Sequence, residues 1–162
     1  MSFGSLSLGP EWSKKSPCQI PKAIDAFVTG FGTGGTLAGV GKAIKTKYPK
    51  AKIYAMEPAE SALLAGELPC CHFIEGVADG FLPPLLQTAP LDGHRKVSSS
   101  EALTMTQRLH REFGLLVGTS SGANVVAALQ VARELGQGAT IATILCDRAE
   151  RYFSTPLFED GP

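Results

Sequence analysis

The fold is decided by the stretch Ile24-Asp25-Ala26-Phe27-Val28-Thr29-Gly30-Phe31-Gly32-Thr33-Gly34-Gly35-Thr36. Its first six residues are mostly apolar and stop at a cluster of glycines, which is the pattern of a short buried strand. Apolar residues at helical spacing follow at Leu37, Val40 and Ile44. The pattern therefore predicts a strand, a tight glycine-rich turn and a helix over 36–48.

Strands and helices continue to alternate along the rest of the chain. The predicted elements are a strand at 52–56, a short helix at 60–66, a loop region at 67–97, a helix at 98–113, a strand at 115–118, a helix at 122–135 and a strand at 140–146. This alternation predicts an α/β fold, a parallel β-sheet with helices on both faces. Ligands of such sheets bind at the C-terminal ends of the strands, where segments 30–36, 57–61 and 118–122 fall.

Composition limits the kind of protein. The chain has 162 residues, and we expect one domain over 24–158, an irregular lead-in at 1–23 and a tail at 159–162. Fifteen basic residues balance fifteen acidic ones, which argues against a nucleic-acid partner. No apolar run reaches the roughly 20 residues of a membrane span, and the first residues do not resemble a signal peptide.

Cysteine usage bears on metals and on the cellular compartment. The four cysteines include the adjacent pair Cys70-Cys71 but no C-x-x-C motif, so we predict no metal site. Free thiols favour a reducing compartment. We therefore expect a cytoplasmic protein, with an organellar location left open.

The glycine cluster predicts an anion site. Gly32, Thr33, Gly34, Gly35 and Thr36 combine close backbone approach, two hydroxyls and the N-terminus of a helix, a set that suits a phosphate. A plain glycine turn is the simpler alternative. Another is a dinucleotide site, because Gly30-x-Gly32-x-x-Gly35 matches that fingerprint and Glu57 ends the next strand.

A second hydroxyl-rich turn is Gly118-Thr119-Ser120-Ser121-Gly122-Ala123. Ser120 or Ser121 could simply cap the following helix. The turn should nevertheless lie at the same sheet edge as the glycine cluster. The charged run Cys146 to Tyr152 follows the last strand and is better read as solvated surface. Ser120 lacks the G-x-S-x-G context of a catalytic serine.

The order of these motifs resembles the cysteine synthase (O-acetylserine sulfhydrylase) family, pyridoxal-phosphate enzymes of the tryptophan-synthase-β fold type. The chain is similar to the C-terminal part of the large domain of that fold type II architecture, over roughly residues 9–158. The matching segments are 24–28, 32–36, 54–58, 75–83, 118–123 and 150–155.

The resemblance implies roles for the matching positions. Residues 32–36 would hold the phosphate of pyridoxal 5'-phosphate, and Ser120 would hydrogen-bond its pyridine nitrogen. Cys146 would lie near the ring, while Gly76 and Gly80 would border the substrate. The implied reaction is β-replacement, in which O-acetylserine loses acetate and sulfide adds to give L-cysteine.

Two motifs of that family do not occur here. None of the nine lysines lies in the Ser-x-Lys-Asp context of the Schiff-base lysine, and the only asparagine, Asn124, lies in a predicted helix rather than in a Thr-Ser-Gly-Asn-Thr loop. We therefore expect the C-terminal part of such an enzyme, with no catalytic residue in this chain and no activity alone. Association with itself or a partner is expected, because a lone C-terminal part would expose apolar surface. The resemblance also implies a homodimer for the full enzyme. A non-catalytic remnant that binds a serine acetyltransferase is the alternative.

Overall fold

A computed structural model describes residues 23–153, 155, 157 and 158, and these form a parallel four-stranded sheet. The strands lie in the order β3-β2-β1-β4. Their bounds are β1 (Ala26–Gly30), β2 (Lys52–Pro58), β3 (Gly93–Val97) and β4 (Ile141–Thr143). The predicted α/β class with a parallel sheet is confirmed. The predicted lead-in, apart from its last residue, and the predicted tail lie outside the described residues.

Helices cover both faces of this sheet, as predicted. They are α1 (Gly35–Lys47), α2 (Ser99–Phe113) and α3 (Thr119–Leu135). Alternate residues of a strand point to opposite faces, so Phe27 of β1 packs with Leu37 of α1 while its neighbour Val28 packs with Ala127 of α3. The two resulting apolar layers pack β1 between α1 on one face and α3 on the other.

Helix α2 begins at the predicted capping box. The Ser98 hydroxyl accepts a hydrogen bond from the backbone N–H of Glu101, and the Glu101 carboxylate accepts one from the N–H of Ser98. Gly114 ends the helix with φ of 65°, a left-handed conformation that glycine adopts without strain. The local sequence thus defines both ends of α2.

The predicted strand at 115–118 is wrong. Leu115 donates its N–H to the carbonyl of Leu109, and His110 Nε2 lies 2.7 Å from the carbonyl oxygen of Val117. Only one antiparallel bridge forms there, between Val117 and Arg148. The apolar run therefore divides its backbone hydrogen bonds between the C-terminal end of α2 and the segment 147–149, which contacts the carbonyl of Leu116 and the N–H of Gly118, and no regular strand forms.

Strand β3 lies inside the region 67–97, which the sequence predicts to be a loop. Its sequence, Gly-His-Arg-Lys-Val, is too polar to indicate a buried strand. It forms an edge of the sheet, where one side pairs with β2 and charged side chains are tolerated. Two further predictions are corrected. The helix predicted at 60–66 is replaced by two short 3-10 turns, and the strand predicted at 140–146 is only three residues long.

Two findings concern membranes and metals in the described part of the chain. None of its helices has the length and apolar character needed to cross a bilayer. No group of three His, Cys, Asp or Glu side chains within it is arranged to hold a metal ion.

Glu57 is fully buried at the end of β2 and is incompletely paired. Its Oε2 accepts a hydrogen bond from the N–H of Leu64, whereas its Oε1 has no hydrogen-bond partner and lies 3.6 Å from His94 Nε2. Burial raises the pKa of the Glu57 carboxyl above its usual value near 4.5, although the Leu64 hydrogen bond and the His94 charge oppose this. The folded state therefore favours the protonated carboxyl.

Glu57→Gln is expected to stabilise the protein at neutral pH. A raised folded-state pKa means that the stabilising contribution is complete below the unfolded pKa and is lost as pH rises through the folded pKa. The neutral amide keeps the acceptor for Leu64 and carries no charge to desolvate, so it avoids this loss, which we place at about 1 kcal/mol, the scale of desolvating one buried polar group. Urea unfolding at pH 4 and pH 7 measures it. A variant that is less stable than the parent at pH 7 would contradict the expectation.

Candidate functional site

A cavity of about 480 Å³ opens at the C-terminal ends of β1 and β4. The connection that follows β1 leads to β2 on one side of it, whereas β4 lies on the other side of β1. The order of the strands along the sheet therefore reverses between β1 and β4. Such a switch point is where open α/β sheets bind ligands. The volume is typical of small-molecule and cofactor pockets.

The glycine-rich turn forms one wall. Gly34 has φ of 82° and precedes α1, which begins without a side-chain cap and without an acidic residue in its first turn. The backbone N–H groups of that turn are therefore not covered by side chains, and the helix dipole adds positive potential. Gly32 is packed so that a Cβ would lie 3.1 Å from the carbonyl of Gly76. This wall suits a compact anion.

The first turns of α3 form the facing wall. Ser120 is buried and lines the cavity, whereas Ser121 accepts a hydrogen bond from the N–H of Cys146 at 2.9 Å. The N-cap residue is Gly118, and no side chain caps the helix. The capping role considered for Ser120 and Ser121 is therefore wrong, and the Ser120 hydroxyl is available to a ligand and to the Cys146 thiol.

The segment after β4 completes the cavity with Cys146 and Asp147. Although the residue is exposed, the surrounding side chains desolvate its sulfur, and this desolvation and the charge of Asp147 raise the pKa of the Cys146 thiol. Hydrogen bonds from Ser120 and Asn124 lower that pKa. The thiol therefore stays neutral at physiological pH. The Asp147 carboxylate accepts a 2.6 Å hydrogen bond from the hydroxyl of Tyr152.

The structure brings most of the predicted site residues together. Gly32, Thr33, Gly34, Gly35, Thr36, Gly76, Ser120 and Cys146 line the cavity. Gly80 does not: it lies beside Pro69, with φ of 85°. Its predicted contact with substrate stays a prediction that this geometry does not support.

Sequence reasoning gave no role to four polar residues that line the cavity: Thr29, Glu75, Asn124 and Asp147. Asp147 belongs to the charged run interpreted as solvated surface, but its backbone carbonyl accepts a hydrogen bond from the N–H of Gly118 and the residue lines the cavity. Asn124 was placed in a helix without a role. The available signal was its identity, since an asparagine within an otherwise small and apolar helical run is unusual unless its amide is bonded.

The structure argues against a dinucleotide site, because the acidic residue that would bind the ribose, Glu57, lies outside the cavity. Glu57 is buried against Leu64 and His94 and is not among the residues that line the cavity. It cannot meet a ribose there.

Comparisons with known proteins agree with this geometry. The family model described as "Pyridoxal-phosphate dependent enzyme" matches residues 3–147. The chain is 46% identical over 153 residues to a cysteine synthase of Staphylococcus aureus, covering 94% of this chain and 48% of that protein. It thus spans about half the length of the curated relatives it matches.

Solved structures show the same likeness. A hydrogen sulfide-producing enzyme from Fusobacterium nucleatum is 42% identical with a TM-score of 0.81, and the match covers 85% of this chain and 41% of that one. An O-acetylserine dependent cystathionine beta-synthase from Helicobacter pylori is 39% identical with a TM-score of 0.80, over 84% and 44% of the two chains.

Proposed function

Since the chain belongs to the pyridoxal-phosphate dependent enzyme family, we propose that its cavity holds the phosphate and the pyridine nitrogen of that cofactor. We further propose that it serves a cysteine synthase, which forms L-cysteine from O-acetylserine and sulfide. The observation that carries the proposal is that the uncapped glycine turn and Ser120 face one cavity. The names of the relatives support the substrate class.

The glycine turn fits a phosphate. Its N–H groups are backbone donors that need no rearrangement, and the Thr33 and Thr36 hydroxyls line the same wall. No acidic residue stands in the first turn of α1 to repel an anion. The carboxylates that do line the cavity, Glu75 and Asp147, belong to other segments.

Ser120 fits the pyridine nitrogen. A hydroxyl donates to a neutral nitrogen and cannot hold it in the protonated form as a carboxylate would. The bound cofactor supplies an electron sink for the bonds made and broken at the substrate, and a weakly basic partner moderates that sink. The neutral Cys146 thiol adds no charge beside the ring.

No residue of this chain is assigned to the covalent bond with the cofactor. The residues that line the described cavity include no lysine. We accordingly assign to this chain the phosphate and pyridine-nitrogen side of the site.

Partners follow from the exposed apolar surface. Leu68, Phe73, Phe81, Leu82 and Leu85 are exposed in one loop region, more than single scattered side chains would expose. We propose a homodimer as the working state, and a serine acetyltransferase as a second partner. The described cysteines are all free, which supports a reducing compartment such as the cytoplasm.

The proposal is tested by calorimetric titration of the full chain with pyridoxal 5'-phosphate, inorganic phosphate and NAD. We expect pyridoxal phosphate to bind and inorganic phosphate to displace it. Ser120→Ala should weaken pyridoxal phosphate about 3–10-fold, the value of one hydrogen bond, and leave inorganic phosphate unchanged. Binding of NAD without binding of pyridoxal phosphate would overturn the proposal.

A further inference from the structure

Asn124 is the most heavily bonded polar side chain of the cavity. It is 1% exposed. Its Oδ1 accepts a hydrogen bond from the N–H of Gly30 at 2.8 Å, and its Nδ2 donates to the carbonyl of Ile144 at 2.9 Å. The same Nδ2 lies 3.6 Å from Cys146 Sγ. One amide therefore contacts the segment before the glycine turn and the segment after β4.

These contacts lie where the sheet opens. Pairing between β1 and β4 stops at Val28 and Thr143, although β1 continues to Gly30. Beyond that point the N–H of Gly30 and the carbonyl of Ile144 no longer meet directly. The Asn124 amide connects them, with a donor and an acceptor where a continued ladder would have a peptide group.

The surrounding packing leaves little freedom to this bridge. A Cβ on Gly30 would lie 2.7 Å from Val77 Cγ1 and 3.6 Å from Asn124 Oδ1. Gly30 therefore sits closely against both. If the Asn124 side chain lost one of its two hydrogen bonds, β1 could not shift to restore the contact, because Gly30 has no room to move.

We propose that Asn124 is a positioning residue, whose amide sets the separation between the glycine turn and the Cys146 wall and thereby the seating of the cofactor. The identity of the ligand rests on the proposed function, whereas the hydrogen bonds of Asn124 do not depend on it. The Nδ2 contact also opposes the rise in the pKa of Cys146. The thiol consequently reports the state of the bridge even without ligand.

Asn124→Asp tests the bridge, because the carboxylate keeps an acceptor for Gly30 and loses the donor to Ile144 and Cys146. In a background with the other three cysteines changed to serine, the pH profile of iodoacetamide labelling gives the pKa of Cys146. We expect at least tenfold weaker binding of pyridoxal phosphate and a higher pKa of Cys146 than in the parent, to which the new charge also contributes. Asn124→Ala removes the amide donor without adding a charge, and it should raise the pKa of Cys146 in the same direction. Gln130→Ala, which removes an exposed amide on the same helix, should change neither.

Unfolding of the variant would instead lower the pKa of Cys146, because a thiol exposed to water loses the desolvation that raises its pKa. If Asn124→Asp does not fold, selective ¹⁵N-asparagine labelling of the parent keeps the test open, because this chain has a single asparagine. Its side-chain amide signals should shift on adding pyridoxal phosphate. An unshifted signal with bound ligand, or a folded variant with unchanged thiol pKa and affinity, overturns the inference. If the parent binds no pyridoxal phosphate but the thiol pKa moves as expected, the positioning role stands and the proposed function fails.

Discussion

Gly122→Ala is expected to cost about 3 kcal/mol or more of the free energy of unfolding, the upper range for overpacking. A Cβ on Gly122 would lie 2.1 Å from Thr106 Oγ1 and 2.4 Å from the carbonyl oxygen of Ala102. The Thr106 hydroxyl is itself bonded to that carbonyl at 2.8 Å. Because one of the colliding atoms is backbone, relief requires α2 and α3 to separate, which would also displace Ser120 and Asn124.

The matched control is Gly39→Ala in α1. Gly39 is an exposed helical residue, and a Cβ there would have no atom within 4 Å. Alanine should stabilise the protein by about 0.5–1 kcal/mol through helix propensity. Urea titrations of both variants, monitored by circular dichroism, compare the same chemical change at two sites. Equal effects, or a Gly122→Ala variant as stable as the parent, would refute the packing argument.

Gly35→Asp is expected to weaken phosphate binding by a factor of about 100 or more, the scale of repulsion between two charges in contact near a protein surface, while leaving the protein folded. A Cβ at Gly35 would meet nothing closer than Thr33 Oγ1 at 3.8 Å, so the side chain has room. The carboxylate would stand at the first residue of α1, where it satisfies free N–H groups and repels an incoming phosphate. The same interaction with the helix dipole should add about 0.3–1 kcal/mol of stability.

Gly35→Asn separates charge from size in this test. The amide has nearly the shape of the carboxylate but no charge, so it should weaken inorganic phosphate much less than Gly35→Asp does. Calorimetric titration gives the affinities, and thermal melts give the stabilities. If both variants bind phosphate as the parent does, the anion lies elsewhere and the proposed cradle is wrong.

Local features were predictable because neighbouring residues determine them. The strand, glycine turn and helix over 24–48 follow from hydrophobic period and from the permissive backbone of Gly34, and the capping box follows from Ser98 and Glu101. Segments that depend on a distant neighbour were not predictable. The polar strand β3 forms because it pairs with β2. The apolar run at 115–118 is not a strand because α2 and the segment 147–149 share its backbone hydrogen bonds.

The amino-acid sequence by itself determined the α/β class, the glycine-rich turn before α1 and the hydroxyl-rich turn that contains Ser120, since each depends on residues close together in the chain. Only the tertiary structure decided that these parts share one cavity, that Glu57 is excluded from it and that Asn124 joins its walls. The physical reason is distance along the chain: Gly30 and Asn124 are 94 positions apart, and no local preference encodes a hydrogen bond that forms only after the sheet has assembled.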